Sequence, residues 1–407
     1  MALITIPRTL SLTTLVQELL DDIIVLLDPV DLVHLSYTSK YFHSVVVTPL
    51  TWSRCLRRLA SRDKSPPLLD TFTATREEIS QEIQRISRRE RNWKKLLVTK
   101  VREVSIEWGL VGKLASDGAA LVLLRMESTS CDLWSLPNLM LRQKCYGPCW
   151  CHLISIAVSM ENKVVLGGSN KGQIFIWPIV KENGEVVDSP RTFQGHTEGI
   201  SCIDIPRDGT GRIVTGSLDR RVIVWDLATG ARLQELDTNR QVIGVHLHEA
   251  ALRTFHTDAH FKKYSFPDFQ VVCKHHLPQT AKSRTRPSSG DAGFFFCASA
   301  KNHGVLYPPD GPSRSAVETR RISTLALDGS HGRVVVALEN LKPIGEAVKV
   351  WNFGEKEDEF GSLKAADKQV EMALNCYWWG EAQAVAIVDA GIVVWTRSMR
   401  LVLLEFD

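Results

Sequence analysis

Several groups of residues in this chain have types and spacings that chemistry uses. CYGPCWCH (145–152) sets three cysteines and a histidine within one short stretch, and these are zinc-ligand types. A structural zinc site needs a second ligand pair at a fixed distance. None follows, so the stretch reads as a loop between strands carrying free thiols. His275-His276 lie beside PQTAKSRTRPSSGDAG and read as part of a basic polar loop, not a metal site. Gly167-Gly168 and Gly216 fall inside β-type runs and do not form a phosphate cradle. No nucleophile elbow, HExxH or P-loop occurs. No catalytic residue, metal or cofactor is therefore expected. The most connected set is His196, Asp219, Trp225 and a strand hydroxyl, Thr215 or Ser217. The indole N–H can donate to the hydroxyl, the hydroxyl can bond His196, and His196 can bond Asp219. Such a chain is tolerated in a core because each member satisfies the next.

The elements that would position these residues differ along the chain. Of 407 residues, 44% are hydrophobic and 23% charged, as in an ordinary globular protein. No run approaches the roughly 18–20 apolar residues of a membrane span, and no basic segment precedes an apolar one at the start, so no signal peptide is read. Nine cysteines at uneven spacing suggest free thiols in a reducing compartment, cytoplasmic, nuclear or both. The net charge of +3 is unevenly spread, with thirteen Lys and Arg against six Asp and Glu over residues 53–100. A nucleic-acid binder would more often spread positive charge over a face, so neither nucleic acid nor membrane is expected as a partner.

Residues 12–58 read as short helices. Thr14 is a candidate N-cap, and Leu15, Leu19, Ile23, Ile24 and Leu27 follow a 3–4 spacing. Asp28-Pro29 ends that helix. A second helix begins at Pro29 with Leu32 and Leu35, and a third begins at Thr38 or Ser39 with Phe42, Val45 and Val46. Residues 60–72 form a Pro-containing linker. Thr75 to Glu78 match a capping box, and the helix after them aligns Ile79, Ile83, Ile86 and Trp93. Its basic end, RRERNWKK (88–95), suits a helix C-terminus, where cations are favoured; it also fits a nuclear-localisation signal. Two short helices joined by a Pro turn cannot cover the apolar surface of residues 12–42 by themselves, so something else must.

From about residue 100 short β-type runs alternate with turn residues. Residues 195–236 open on Gly-His and close on Trp-Asp, the spacing of a WD repeat, in which four strands make one propeller blade. Counting back from each strand-end aromatic gives weaker copies ending at Trp134, Trp177, Tyr264, Tyr307, Trp351 and Trp395. In these copies Asp258 and Asp389 keep the place of Asp219, and Lys171 replaces it. Seven repeats of about 40–45 residues fit residues 100–407, with six or eight still open. A strand over Leu401 to Phe406 could complete the last blade, or one near 96–101 could clasp it.

The first fifty residues resemble the F-box. The matching positions are Leu15, Glu18, Leu19, Ile23, Leu27, Asp28, Pro29, Asp31, Leu32, Leu35, Ser39, Lys40, Phe42 and Trp52, with Val16 where the family usually has Pro. F-box followed by WD repeats is the architecture of the F-box/WD-repeat substrate receptors, and Arg91-Asn92-Trp93 resembles the junction in that family. The expected organisation is multidomain α plus all-β: an F-box over 10–58, a linker and basic helix over 59–98, and a seven-bladed propeller over 99–407.

The resemblance implies a non-catalytic subunit of an SCF-type ubiquitin ligase. Its F-box would bind the SCF adaptor through Leu15, Val16, Glu18, Leu19, Ile23, Leu27, Pro29, Leu32, Leu35, Phe42 and Trp52, and reach cullin and RING subunits through it. The propeller would hold an unidentified protein substrate on its turns. Arg220 stands where the family sometimes places a phosphate-reading Arg, with Lys171, His260 and Arg125 adding charge. Ser201, Ala259 and Ala390 occupy other such positions. A WD-repeat scaffold that assembles a complex without ubiquitin transfer is the alternative.

Overall fold

The alternation of apolar residues from about residue 100 becomes a series of antiparallel sheets in the structure, a computed structural model. It describes residues 24, 27, 29–46, 51–52, 54, 76–95, 97–106, 111–148, 150–180, 185–187, 189–206, 208–248, 250–258, 260–276, 286–289, 295–298, 303–307, 314–317, 322–328, 333–338, 348–352, 382–396 and 399–406. The chain divides into two units, residues 1–91 with Asp407 and residues 92–406.

In the first unit, helix α1 spans Pro29–Thr38 and α2 spans Lys40–Val46; α3, Arg76–Lys95, begins in that unit and ends in the second. Pro29 opens α1, where its missing N–H costs nothing. Ser39 is the N-cap of α2, its Oγ accepting the Phe42 N–H at 3.2 Å. Thr38 instead ends α1, its hydroxyl donating to the Leu35 carbonyl. The core gathers Ile24, Leu32, Phe42, Val46 and Trp52 with Ile83 and Ile86 of α3. The surface left open by the short helices is thus partly covered by this chain itself. Thr14, Thr75 and the linker over 60–72 lie outside the described residues.

In the second unit the described strands form seven sheets. Sheet 1 runs Val111–Ser116, Ala120–Arg125, Ser130–Ser135, Met140–Tyr146; sheet 2 runs Leu153–Ser159, Val164–Ser169, Gln173–Pro178, Arg191–Gln194. Sheet 3 runs Ile200–Asp204, Arg212–Ser217, Arg221–Asp226, Arg232–Asp237; sheet 4 runs Val242–His248, Ala251–His256, His260–Ser265, Val271–His276. Sheet 5 comprises Arg286–Ser289, Phe295–Ala298, His303–Tyr307 and Arg314–Val317, and sheet 6 comprises Ile322–Asp328, Arg333–Leu338 and Val348–Asn352. Sheet 7 joins Ala382–Val388, Gly391–Thr396 and Arg400–Glu405 to Lys100–Ser105. Glu185–Val187 adds a parallel fifth strand to sheet 1.

Each first strand neighbours the first strand of the next sheet, and that of sheet 7 neighbours that of sheet 1. Strand side chains alternate between faces, so one sheet serves two cores. Leu121 and Leu123 pack with Trp395, Leu401 and Leu403 of sheet 7, while Val122 and Leu124 pack with Val165, Phe175 and Trp177 of sheet 2.

Sheet 7 corrects one expectation. Trp395 ends the second strand of its sheet, not the third, and Asp389-Ala390 form the first turn. The third strand is Arg400–Glu405, and Lys100–Ser105 pairs with it as the fourth. The sequence offered Leu401–Phe406 and a strand near 96–101 as alternatives; the structure pairs Arg400–Glu405 with Lys100–Ser105 in one sheet. Ion pairs between Arg102 and Glu405 and between Arg400 and Glu103 flank that pairing. Asn92 donates to the Phe406 carbonyl at 3.0 Å, and Trp93 stacks on Phe406 with centroids 4.2 Å apart.

Candidate functional site

The polar chain of sheet 3 runs through Thr215. Trp225 Nε1 donates to Thr215 Oγ1 at 2.9 Å, and Thr215 Oγ1 lies 2.8 Å from His196 Nε2. His196 Nδ1 lies 2.9 Å from Asp219 Oδ2, which also accepts the Thr197 N–H at 2.9 Å. With a proton on Nδ1, every donor has an acceptor. Ser217 is outside this chain; its Oγ bonds the Glu198 and Gly199 carbonyls and accepts the Asp219 N–H. Burial by itself would raise the Asp219 carboxyl, but the bonds from His196 and the Thr197 and Arg221 N–H groups outweigh it and lower its pKa to about 2.

The other sheets depart from this pattern in readable ways. Sheet 2 has Gly167 in place of the hydroxyl, and Trp177 donates to the Tyr146 carbonyl at 3.0 Å instead. In sheet 1 the buried Trp134 N–H finds no acceptor among the described residues. In sheet 4 the hydroxyl is Thr254, which bonds Tyr264, but its histidine is His256 from the same strand, Nε2 to Oγ1 at 2.8 Å. Burial, then the charge of Lys262, pulls the His256 pKa down to about 4. Asp258, left out of that chain, turns outward to Arg240 and His260.

These chains fix the turns that carry the candidate cations. Thr238 bonds the Arg220 carbonyl through its N–H and its hydroxyl, at 2.9 and 2.7 Å. Arg220 has φ of 72°, in the left-handed region that costs a residue with Cβ about 1–2 kcal/mol. Sheet 2 has Gly172 at this place, with φ of 79°, where a Cβ would lie 2.3 Å from the His196 carbonyl oxygen. Arg220 keeps a side chain at a glycine-type position, exposed and with no hydrogen-bonding or ion-pairing partner among the described residues.

The other three candidates are engaged. Lys171 lies over the exposed Trp150 ring at 5.5 Å. His260 is 3.1 Å from Asp258 and 3.4 Å from Arg240. Arg125 is tied to Asp132 at 2.9 Å, so its charge is neutralised within its own hairpin. All four nonetheless lie by the second turns of sheets 1 to 4, at one end of the strands. Ser201 turns its hydroxyl into the Gly216 and Val242 carbonyls and presents nothing there. Ala390 lies in a first turn and so is not an equivalent of Arg220; Ala259 lies outside the described residues. Trp150, Arg240 and Lys113, whose ammonium donates to the Ser201 carbonyl at 3.2 Å, are neighbours that sequence reasoning missed. Their register with the turns was the missing signal.

The cysteine stretch packs inward. Cys145 and Cys151 are buried free thiols sharing a core with Cys131, which stands directly opposite Cys145. A hydrogen bond with Cys145, then burial, holds the Cys131 thiol well above its ordinary range. Among the described residues no group of three or more His, Cys, Asp or Glu is placed to hold a metal, and no helix is long and apolar enough to cross a membrane.

Among the F-box positions, Leu32, Phe42 and Trp52 are core residues of the first unit. They pack against Ile83 and Ile86, and so contribute to the internal core of that unit. Leu27 and Leu35 are half-buried. Tyr37, 80% exposed, and Tyr41 are the large side chains open to solvent on α1 and α2. Leu15, Val16, Glu18, Leu19 and Ile23 lie outside the described residues, as does the Pro29 side chain.

Residues 12–54 match the F-box domain, and residues 188–226, which contain the whole polar chain, match the WD domain, G-beta repeat. Protein groucho of Drosophila melanogaster is 34% identical over 137 residues, and Transducin-like enhancer protein 2 of Mus musculus is 36% identical over 137. Each match covers 33% of this chain and 17% of the relative, so the chain spans about a sixth of their length. The structure of U3-55K aligns with a TM-score of 0.57 at 16% identity, over 73% of this chain and 91% of that one. The crystal structure of RRP9 WD40 repeats aligns with the same score over 73% and 90%. These likenesses show a fold of the WD40 propeller type. Carrying that fold and an F-box, the chain is an F-box/WD-repeat protein.

Proposed function

We propose that this protein is the substrate-recognition subunit of an SCF-type ubiquitin ligase. One observation carries the reading: an F-box match and a WD-repeat match stand in one chain, in that order. F-box families act as docking modules and WD repeats as binding platforms, and neither brings catalytic residues. The F-box unit docks on the SCF adaptor and through it on cullin and RING subunits. The seven sheets act as seven blades of one ring, with Lys100–Ser105 as its clasp, and hold a protein substrate on the second turns around Arg220. Holding a substrate lysine near the charged conjugating enzyme raises its effective concentration, which is how a subunit without catalytic groups accelerates transfer. Residues 10–58 serve as the adaptor-binding domain, 59–98 as the connection and 99–407 as the receptor. A cytoplasmic or nuclear setting suits the free thiols.

The test is capture of the full chain by purified SCF adaptor. The wild type binds, and Tyr37→Asp, at an exposed position of α1, weakens capture without changing the far-UV spectrum. A wild type that is not captured would transfer the reading to the alternative, a WD-repeat scaffold without ubiquitin transfer.

A further inference from the structure

The outer hairpin of sheet 1 sets two thiols face to face. Cys131 of the third strand stands directly opposite Cys145 of the fourth. Both are free and buried, and a hydrogen bond joins them. Opposed residues have Cβ atoms about 4.5–5.5 Å apart, and a disulfide needs about 3.5–4.5 Å. Closing the pair therefore asks the two strands to approach by about an ångström. Gln143, two residues back on the same face of the strand, donates from Nε2 to Cys145 Sγ at 3.2 Å. Of the two sulfurs, Cys145 thus has a donor in place for the negative charge of an attacking thiolate.

A strap from sheet 2 covers the pair. After Pro178 the chain leaves its own sheet, and Glu185–Val187 joins the edge of sheet 1 as a parallel strand, with Val187 in register with Cys145. Ile179 and Val187 are half-buried against the core that holds Cys131, Cys145 and Cys151. Gln143 and Arg142 moor this segment. Gln143 bonds the Pro178 carbonyl and the Val180 N–H, each at 3.0 Å. Arg142 donates twice to the Val180 carbonyl, at 3.2 and 3.0 Å. The strap is nonetheless the weakest strand of its sheet. It spans three residues, parallel pairing is the less stable kind, and Val186 is exposed. Short, exposed segments open more readily than core strands.

We infer that Cys131 and Cys145 form a redox site that closes to a disulfide under peroxide, with the strap as its gate. With the strap in place both thiols are shielded, and buried thiols are inert. When it lifts, the Cys145 thiolate attacks one peroxide oxygen and the O–O bond breaks. The other oxygen leaves as hydroxide, takes up the proton that Cys145 lost and becomes water, and Cys145 becomes a sulfenic acid. The Cys131 sulfur then attacks the sulfenic sulfur. The S–S bond forms, the S–O bond breaks, and the departing hydroxide takes the Cys131 proton as a second water. Two thiols give up two electrons, and one peroxide accepts them. The cross-link ties together the two outer strands of the sheet. This inference does not rest on the adaptor reading.

Peptide mapping of the full chain by mass spectrometry tests it, with hydrogen peroxide as the oxidant and alkylation of the remaining thiols after denaturation. The half-exposed Cys273 serves as an internal clock. The expected product is a peptide pair linked through Cys131 and Cys145 and released by dithiothreitol. Cys131→Ser stops at a sulfenic acid on Cys145, which dimedone traps. Arg142→Ala frees the strap without touching either sulfur and speeds linkage about tenfold. Val186→Pro, at an exposed position of the strap strand, does the same by breaking that strand. Three results overturn the inference: both thiols still free in the wild type and both strap variants once Cys273 is fully oxidised, a disulfide to Cys151 in place of the 131–145 link, or equal linkage rates in the wild type and both strap variants.

Discussion

Thr215→Val probes the polar chain of sheet 3 with almost no change of shape. The hydroxyl accepts from Trp225 and, with Nδ1 of His196 protonated toward Asp219, donates to His196 Nε2. Valine would leave the indole N–H and the imidazole nitrogen without partners, and Trp225 and the His196 side chain are 1% and 0% exposed. Each orphaned buried group costs about 1–3 kcal/mol, so the expected loss is about 2–6 kcal/mol. The lower bound alone is a roughly 30-fold rise in the opening equilibrium. Hydrogen exchange by mass spectrometry on peptides from 195–237 reads that local opening, without requiring the two units to unfold as one. Thr215→Ser keeps the hydroxyl and loses one methyl, so it should cost only about 1 kcal/mol. A Thr215→Val protein exchanging within threefold of wild type, or no faster than Thr215→Ser, would refute the reasoning. Sheet 1 shows that the second result is not trivially excluded, since the Trp134 N–H, without an acceptor among the described residues, sits in a folded core.

Asp219, with its pKa lowered from 3.8 to about 2, contributes stability that is complete above pH 4 and lost as the pH falls toward 2. Asp219→Asn should remove that acid slope from exchange over 195–237. His256 stays neutral in the fold down to about pH 4, whereas the unfolded residue protonates near 6.5. Stability should therefore fall as the pH drops from 6.5 to 4, by up to about 1.4 kcal/mol per pH unit, and thermal midpoints of His256→Gln should show a shallower slope. Trp93→Ala removes a stacked, fully buried ring and should cost about 3–5 kcal/mol in denaturant unfolding of sheets 6 and 7. Leu32→Asp buries a charge in the first unit and should abolish its helical signal, whereas Tyr37→Asp should leave it intact.

The sequence carried the sheet 3 chain because all its members lie within the thirty positions from His196 to Trp225 and each has a distinct type. Only the choice between Thr215 and Ser217 needed coordinates, since strand residues two apart share a face. Trp395 misled because a first hairpin and a second hairpin have the same alternation and the same short turn. What separates them is the partner of Arg400–Glu405, some three hundred residues away. Periodicity likewise placed Leu32 and Phe42 on the apolar faces of two successive helices, but not that Ile83 and Ile86 join them in one core. The opposition of Cys131 and Cys145 is a matter of register, set by a bulge between Leu133 and Trp134, which no pattern of residue types announces.

Sheet 7 draws its strands from both ends of the second unit, and that places a demand on the ribosome. Lys100–Ser105 emerges about three hundred residues before Arg400–Glu405, a delay of roughly 15–60 s at 5–20 residues per second. Throughout that interval its backbone edge and the aromatic face of Trp93 stand open in the nascent chain. A message truncated before Arg400 leaves them open permanently. Holdase chaperones and quality-control proteases would therefore have one defined segment by which to tell a finished molecule from an interrupted one.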